Sequence, residues 1–490
     1  MTIIIILLVY LAILISIGIW GSRQSRNVSD YYVAGKQLPS WVIAFSTNAT
    51  GESAWLLLGL TGMAYLVGFH AIWVALGEIL GVALSWALVA PPFREYTGRF
   101  NSITVPDYLE ARFQDSRHLI RLIAAAIIFT MVTAYMAAQL TAAGKAFNSF
   151  AGLNYTTGIL IGTAVILFYT SVGGFKAVAY ADVLQGVLMF LSMILIPVVG
   201  IMAIGGWTPL MEALGRSDPS LLWPMGGYGV SLEGVMSALG FVGIGLAFLG
   251  APQLLVRYIS ARGQKEIVRG SLMAVLIIIV FDFGAIFTGL AGRALFPLLD
   301  DPETIMPTMS TQLFPASFTG IFLAVVLAAI ISTVDSLLIL ASSTIVRDVI
   351  QRIYRPTLSD VRASRIGKIT TLVIGLGAFG LALTEVRMIF WFVLFAWSGL
   401  GVAFGPPILC SLFWSRTTLK GALAGMLSGF LVTVIWVLFL KESFFGLYEM
   451  IPGFLVGLAV TIGVSLCTRP PEGAEREWQA VYKELRPGMH

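Results

Sequence analysis

Long apolar stretches follow one another along the chain, separated by short polar segments. Four stretches, 122–144, 183–211, 388–415 and 421–440, contain no Asp, Glu, Lys or Arg. Each is at least as long as the roughly 20 residues that a helix needs to cross hydrocarbon. The pattern predicts about thirteen membrane-spanning helices, several of them tilted or interrupted. Their predicted limits are 3–22, 41–67, 70–92, 119–144, 154–173, 177–204, 233–256, 270–292, 312–346, 366–384, 388–413, 420–440 and 448–467.

The composition supports a polytopic membrane protein and excludes other classes. Apolar residues make up 58% of the 490 residues, charged residues make up 11%, and the mean hydropathy is +0.89. Soluble domains contain about 25% charged residues, so a soluble chain of this composition could not cover its surface. Cys410 and Cys467 lie in apolar segments, which indicates neither a disulfide framework nor a zinc site. We infer no nucleic-acid partner and no obligate protein partner.

The distribution of basic residues predicts the orientation in the membrane. With the N-terminus outside, 25 of the 30 Lys and Arg residues fall in inner segments and 5 in outer segments. The positive-inside rule favours this orientation, because a shift of the topology by one helix would destroy the excess of basic residues on the inner side. The first apolar stretch has no preceding basic residue and no cleavage site, so we expect a retained helix. The sequence thus predicts a multi-pass protein of the inner or plasma membrane with a cytoplasmic tail at 469–490.

Two predicted spans are interrupted. Span two contains the polar segment STNATGESAW at 46–55, and span seven contains four glycines followed by Pro252. Gly permits unwinding, and Pro lacks a backbone donor. Two interruptions five helices apart indicate the halves of an inverted repeat, with a binding site between them near the bilayer midplane. The alternative is that Gly and Pro are simply common in membrane helices.

Span nine carries two adjacent hydroxyl groups in an apolar setting. The hydroxyls of Ser332 and Thr333 can supply two oxygens to sodium, a hard cation that prefers oxygen ligands. Carbonyls of span two near Ala49 and Glu52 could complete the shell. The alternative is that both hydroxyls bond carbonyls of their own helix.

Several carboxyl groups lie within predicted spans, where each needs a partner. Asp335 follows the hydroxyl pair by two residues. Asp182, near the inner end of span six, is either an interfacial cap or faces Asp335 and Ser336 as a second cation or proton site. Glu78 and Asp282 lie in no motif, and we expect structural roles or hydrogen bonds between helices.

Several motifs, taken together and in order, resemble the sodium:solute symporter family over nearly the whole chain. They are SDYYVAGK at 29–36, WLLLGL at 55–60, VPDYLEARF at 105–113, GGFKAVAYADVLQ at 173–185, ST at 332–333 and KGALAGMLSG at 420–429. The resemblance implies an all-α membrane protein with a LeuT-like 5+5 inverted repeat and extra helices at both ends. It also implies a transporter domain at 1–468, with repeat halves at about 41–204 and 233–413.

The resemblance further implies which residues bind the ions and the solute. The implied sodium ligands are the carbonyls of Ala49, Glu52 and Ala329 and the hydroxyls of Ser332 and Thr333. Some members have a further cation site, which corresponds to Asp182, Ser332, Asp335 and Ser336. The implied substrate-binding residues are Ser53, Trp55, Tyr135, Phe248 and Pro252.

The chain departs from the proline-transporting members at positions near the implied pocket. Those members have an aspartate where this chain has Gly51, and an apolar residue where it has Glu52, so the carboxylate moves about 100° around a helix. Their tryptophan and tyrosine are Ile244 and Phe248 here, which removes an indole N–H and a phenol O–H. The Glu52 side chain either accepts a substrate amine, ligates sodium or pairs with another helix.

These observations favour sodium-coupled import of a small organic solute by alternating access, with L-proline or a related amino acid as the expected substrate. Alternatives are another solute, such as a monocarboxylate, a sugar or another amino acid, and proton coupling through Glu52, Asp182 or Asp335. A membrane-embedded enzyme is the alternative of another class, but the paired acids Asp300 and Asp301 have no evident basic or metal-binding companion. We therefore expect no enzymatic activity, and we expect the solute, Na⁺ and the lipid bilayer as partners.

Overall fold

A computed structural model describes residues 2–24, 28–170, 174–355, 357–384 and 388–485, and the regular elements in these ranges are all helical. The predicted all-α fold is therefore confirmed. Arg26, Gly173, Arg387 and Arg486, which contributed to the predicted orientation and motifs, lie outside the described residues. The α-helices are α1 (Thr2–Ser22), α2 (Val28–Val33), α3 (Ser40–Ala54), α4 (Thr61–Val67), α5 (Ile72–Leu84), α6 (Ala90–Arg99), α7 (Val105–Phe113), α8 (Leu119–Ala151), α9 (Tyr155–Thr170), α10 (Phe175–Ile204), α11 (Trp207–Ser217), α12 (Leu232–Gly243), α13 (Pro252–Ser260), α14 (Gln264–Leu295), α15 (Ile305–Leu313), α16 (Ala316–Ser343), α17 (Asp360–Ala382), α18 (Ile389–Phe413), α19 (Leu419–Ile435), α20 (Met450–Leu466) and α21 (Ala474–Leu485).

The helices account for the apolar pattern of the sequence. Within the described residues, ten helical stretches are long and apolar enough to cross a membrane. One of them, Ser40–Arg99, has 60 residues and contains both predicted spans two and three. Two shorter apolar helices, Tyr155–Leu167 and Met450–Leu466, lie at predicted spans five and thirteen. A helix satisfies its own backbone hydrogen bonds, which lipid cannot do. The number of thirteen crossings stays a prediction.

Both predicted interruptions are confirmed. In α3, Ser53 has φ 54° and ψ −164°, outside the helical region, and a π-helical segment, Trp55–Leu60, follows. This break is narrower than predicted, because 46–52 are helical. In span seven, α12 ends at Gly243, a 3₁₀ segment follows over Ile244–Leu249, and α13 begins at Pro252. Proline suits the first turn of a helix, where the missing N–H would have no intrahelical partner.

α5 packs against the second break without room for intervening side chains. A Cβ added to Gly77 would lie 2.3 Å from the carbonyl oxygen of Val242. A Cβ added to Gly245 would lie 1.8 Å from the carbonyl oxygen of Gly77 and 3.2 Å from the backbone nitrogen of Glu78. Small residues allow membrane helices to approach this closely. The contact therefore holds the Glu78 backbone beside the 3₁₀ segment.

α8 carries a charged network near each of its ends. Arg121, near its start, is 3% exposed and donates to the carboxylates of Asp107, Glu110 and Asp348. Lys145, near its end, contacts Glu303 at 2.6 Å and Asp301 at 2.8 Å. Asp301 therefore has a basic partner that the sequence did not indicate. Both networks tie α8 to other elements of the bundle.

Candidate functional site

The break in α3 is held by a glutamine from α8. The backbone N–H of Ala54 donates to Oε1 of Gln139 at 3.2 Å, and Nε2 of Gln139 donates to the Ser53 hydroxyl at 3.2 Å. The Trp55 N–H also donates to that hydroxyl, at 3.1 Å. The side chains thus replace helical hydrogen bonds that the φ of Ser53 interrupts. Gln139 was missed in the sequence, although a lone amide in a charge-free stretch is a usable signal.

Predicted sodium ligands from α3 and α16 meet one turn before this break. The Ser332 hydroxyl lies 3.1 Å from the carbonyl oxygen of Ala49 and 3.0 Å from that of Ala329. The Thr333 hydroxyl donates to the carbonyl of Thr50 at 3.1 Å. Both side chains are fully buried. The alternative that both hydroxyls bond their own helix holds in part for Ser332, which contacts Ala329, but both hydroxyls also reach carbonyls of α3.

An arginine lies where the sequence suggested a second cation site. Arg257, which directly follows predicted span seven, belongs to α13 and is 1% exposed. Its guanidinium donates to Asp182 at 3.2 Å and to the hydroxyl of Ser336. It also donates to the hydroxyls of Thr50 at 2.7 Å and Ser46 at 3.1 Å. Asp182 is fully buried and ion-paired, so it is not an interfacial cap.

Asp335 belongs to the same region of α16. It is 1% exposed and immediately precedes Ser336, whose hydroxyl also lies 3.1 Å from that of Thr50. The Asp182 side chain gains a further donor from the Ser46 hydroxyl at 2.6 Å. A positive charge thus already lies beside Asp182, contributed by the chain itself.

The predicted substrate residues form part of an aromatic wall. The ring of Trp397 in α18 has its centroid 5.2 Å from that of Phe248 and 6.5 Å from that of Tyr135, in edge-to-face contacts. Trp55 stacks on Phe390 at 5.3 Å. These rings are buried beside the two breaks. Large aromatic surfaces of this kind favour an apolar ligand group.

Polar groups at the wall come from the broken helices. The Ser53 hydroxyl lies at the first break, and Pro252 opens α13 directly after the second. Gly51 allows close packing, since a Cβ there would lie 3.2 Å from the Phe248 ring. The arrangement therefore combines an apolar wall with a helix N-terminus, where an anionic group is stabilised.

Glu52 extends toward two other acids, Glu78 of α5 and Asp282 of α14. One carboxylate oxygen of each lies within 4.8 Å of the others. Both oxygens of Glu52 are buried without a hydrogen-bond partner in the described part of the chain, while its backbone carbonyl accepts the Trp55 N–H. Asp282 interacts with Glu78 across α14 and α5, as expected, but neither of its oxygens accepts a hydrogen bond from a described residue outside this group of acids.

Comparisons with known proteins agree with this architecture. The model of the sodium:solute symporter family matches residues 31–429. The high-affinity proline transporter PutP of Bacillus subtilis (strain 168) is 36% identical over 463 residues, covering 94% of this chain and 96% of that protein. The sodium/proline symporter of Staphylococcus aureus (strain JH9) is 34% identical over 482 residues, covering 95% and 93%. A solved Na⁺-coupled sialic acid symporter in a substrate-bound outward-open state has a TM-score of 0.79 at 21% identity, covering 96% of this chain and 98% of that one. This likeness confirms the predicted LeuT-like fold.

Proposed function

The chain belongs to the sodium:solute symporter family, and from this membership we propose that it imports L-proline or a closely related amino acid together with sodium. It is a multi-pass, sodium-coupled membrane transporter rather than an enzyme. The choice of proline rests on relatives at 34% and 36% identity whose names specify that solute. The membrane potential contributes about 2.3 kcal/mol per charge per 100 mV.

The position of the Ser332 hydroxyl is the observation that carries the proposed sodium site. Carbonyl oxygens of Ala49 and Ala329 lie within 3.1 Å of it, so oxygens from two helices converge. Hard cations bind several oxygens of this kind. A hydroxyl rotates freely and can present a lone pair to the ion. We infer that the Thr333 hydroxyl and the Glu52 carbonyl complete the shell.

We infer that one sodium binds at Ser332 and that the neighbouring position beside Asp182 is filled by the fixed charge of Arg257. The guanidinium of Arg257 bonds Asp182 and Ser336, two of the residues expected around a second cation. A free cation between Asp182, Asp335 and Ser336 would require the guanidinium to withdraw, because like charges in a low dielectric repel strongly.

We infer that the substrate ring packs against Trp55, Tyr135 and Phe248. Its carboxylate would face the N-terminus of α13 at Pro252, and its amine would face the Ser53 hydroxyl and unwound carbonyls. The wall carries no donor at Phe248, which suits an apolar side chain. The Glu52 side chain faces Glu78 and Asp282, which argues against its binding a substrate amine.

The repeat halves at about 41–204 and 233–413 form part of the same proposal, as do the outer N-terminus and the cytoplasmic tail at 469–490. The two breaks lie at corresponding places in these halves. Rocking of one bundle against the other would then expose the site to each side in turn.

Uptake by the purified chain in proteoliposomes tests the function. Labelled L-proline should accumulate with an inward sodium gradient, uptake should stop when choline replaces sodium, and other amino acids should compete. Uptake without sodium, or competition only by sugars or monocarboxylates, would contradict the proposal.

The sodium site has its own test in the same assay. Ser332→Ala should raise the sodium concentration at half-maximal uptake about two- to tenfold, the worth of one lost hydrogen-bonding oxygen. Ser192→Ala is the matched control, because the Ser192 hydroxyl is buried and donates at 2.8 Å to Leu188 of its own helix. Equal sodium dependence in both variants would remove Ser332 from the site.

A further inference from the structure

Three acidic side chains from three helices converge in the interior, outside the proposed sodium site. Glu52 of α3 and Asp282 of α14 are 0% exposed, and Glu78 of α5 is 3% exposed. One carboxylate oxygen from each lies within 4.8 Å of the corresponding oxygens of the other two. We call this set the acidic cluster. Neither sodium coupling at Ser332 nor the substrate wall requires it.

Most oxygens of the acidic cluster have no hydrogen-bond partner outside the cluster. Five of its six carboxylate oxygens are buried without a hydrogen bond from any described residue outside it: both of Glu52, both of Asp282 and Oε2 of Glu78. Two buried acids elsewhere have a basic partner: Asp182 pairs with Arg257, and Glu449 pairs with Lys441. Buried polar groups are rarely left in this state, because each loses its interaction with water. Three such carboxylates, with one oxygen of each within 4.8 Å of the others, therefore indicate a bound positive charge.

The spacing of the oxygens fits one hard cation. An ion that binds oxygen at about 2.3–2.6 Å holds opposite ligands about 4.6–5.2 Å apart. Oxygens within 4.8 Å of one another can therefore contact the same ion. Magnesium fits poorly, because it demands near-ideal octahedral geometry and keeps several waters. Three convergent carboxylates in a buried space favour an ion that sheds its water readily.

The acidic cluster also adjoins both interrupted spans. Glu52 immediately precedes Ser53, the non-helical residue of the first break. Glu78 lies on the segment of α5 that touches the second break, where a Cβ on Gly245 would lie 3.2 Å from the Glu78 nitrogen. A cation here would hold α3 and α5 to α14, and α5 in turn contacts the second break. Its binding would thus bias the geometry of the substrate wall.

We propose that Glu52, Glu78 and Asp282 form a second ion site, which takes a hard cation of the size of Na⁺ or Ca²⁺. This site is distinct from the one at Ser332 and does not depend on which solute is transported. The ion's charge offsets the mutual repulsion of the carboxylates.

Equilibrium binding of radiolabelled sodium and calcium ions to the purified full-length chain in sodium-free choline buffer tests the proposal. Glu78→Gln keeps the shape of the side chain and removes its charge. We expect it to lose one bound cation per chain, or to bind that cation at least about tenfold more weakly, since even supporting groups cost this much. Glu449→Gln is the matched control, because it neutralises a buried acid that is already paired with Lys441 at 2.9 Å. Ser332→Ala should keep the cation of the acidic cluster, which separates the two sites.

Thermal unfolding of the same proteins supplies a second readout, with Asp282→Asn as a substitute where Glu78→Gln fails to fold. Without added cation, the neutralised variant should melt above the parent, since repulsion is relieved. Adding the cation should stabilise the parent and the Glu449→Gln control but not this variant. Loss of sodium binding alone would identify the ion as Na⁺, and loss of calcium binding would identify it as Ca²⁺. Binding and cation-induced stabilisation equal to the parent for both ions would overturn the proposal, as would an acidic cluster that takes up only protons.

Discussion

Replacing Arg257 with methionine should expose how strongly the interior depends on its fixed positive charge. The guanidinium donates to Asp182, Ser46, Thr50 and Ser336, and it is 1% exposed, as is its partner Asp182. Methionine fills comparable space without charge. Breaking a buried ion pair from one side costs about 3–5 kcal/mol, because the remaining charge stays buried. Since about 1.4 kcal/mol is tenfold, the folded population should fall relative to the unfolded one by a factor of about 10² to 10³·⁵.

A double-mutant cycle separates this charge effect from lost packing. Arg257→Met combined with Asp182→Asn removes both members of the ion pair, so it should be more stable than Arg257→Met alone by about 2 kcal/mol or more. Sodium should stabilise the Arg257→Met variant, because Asp182, Ser336 and Thr50 would then offer their oxygens to a free cation. At a sodium concentration of 100 times Kd, this stabilisation is about 2.7 kcal/mol. The double variant should show no such gain.

Thermal unfolding of purified protein in sodium and in choline provides the measurement. Arg112→Met is the control, since Arg112 is equally buried but donates to the carbonyls of Ser411 and Ser415. It should lose stability without gaining a sodium response. The reasoning is refuted if Arg257→Met melts with the parent, or if sodium stabilises the single and double variants equally.

Three further predictions concern other parts of the molecule. Gly245→Ala would place a Cβ 1.8 Å from a backbone oxygen of α5, so the yield of folded protein in size-exclusion chromatography should fall. The control Gly380→Ala, whose Cβ would have nothing within 4 Å, should match the parent, and equal yields of the two variants would contradict the close contact. Gln139→Met removes both hydrogen bonds that Gln139 makes at the break beside Ser53, so the substrate concentration for half-maximal uptake should rise about tenfold at saturating sodium. Unchanged kinetics would show that the break keeps its geometry without Gln139. Burial lowers the pKa of Lys36 to about 8 in the folded protein, so between about pH 8 and 10.5 the unfolded chain binds more protons than the folded one, and stability should rise with pH. A Lys36→Met variant whose stability rises equally with pH over this interval would disprove the assignment of this rise to Lys36.

Hydropathy predicted the helices because lipid offers the backbone no hydrogen-bond partners. An apolar chain without water must close its own hydrogen bonds, so stretches such as 122–144 had to be helical. The breaks were also foreseeable, since Pro252 and the glycines before it cannot continue a helix without cost. The meeting of Ser332 with Ala49 was inferred from hydroxyl chemistry and family motifs, and the hydrogen bonds agree.

Burial and pairing of charge could not be predicted in the same way. The positive-inside rule counts a basic residue without regard to its burial. Arg257 was therefore counted with the inner basic residues that follow span seven, although it is buried and contacts Asp182 of another helix. Convergence of Glu52, Glu78 and Asp282 depends on the angles at which three helices cross. Hydrophobic periodicity identifies the buried face of one helix, but it does not say which distant residue that face meets.

α8 links the two sides of the membrane through its terminal charges. Arg121 and Lys145 lie about 36 Å apart along a straight helix axis, more than the hydrocarbon thickness of about 30 Å. If each end of the transport path opens only when its ion pairs separate, each opening costs about 3–5 kcal/mol, and costs at distant sites add. A conformation open at both ends would then be about 10⁴- to 10⁷-fold rarer than the closed one. Such a conformation is a leak, through which sodium would cross without solute. Under that condition, the two networks of α8 would keep the gradient from being dissipated in this way.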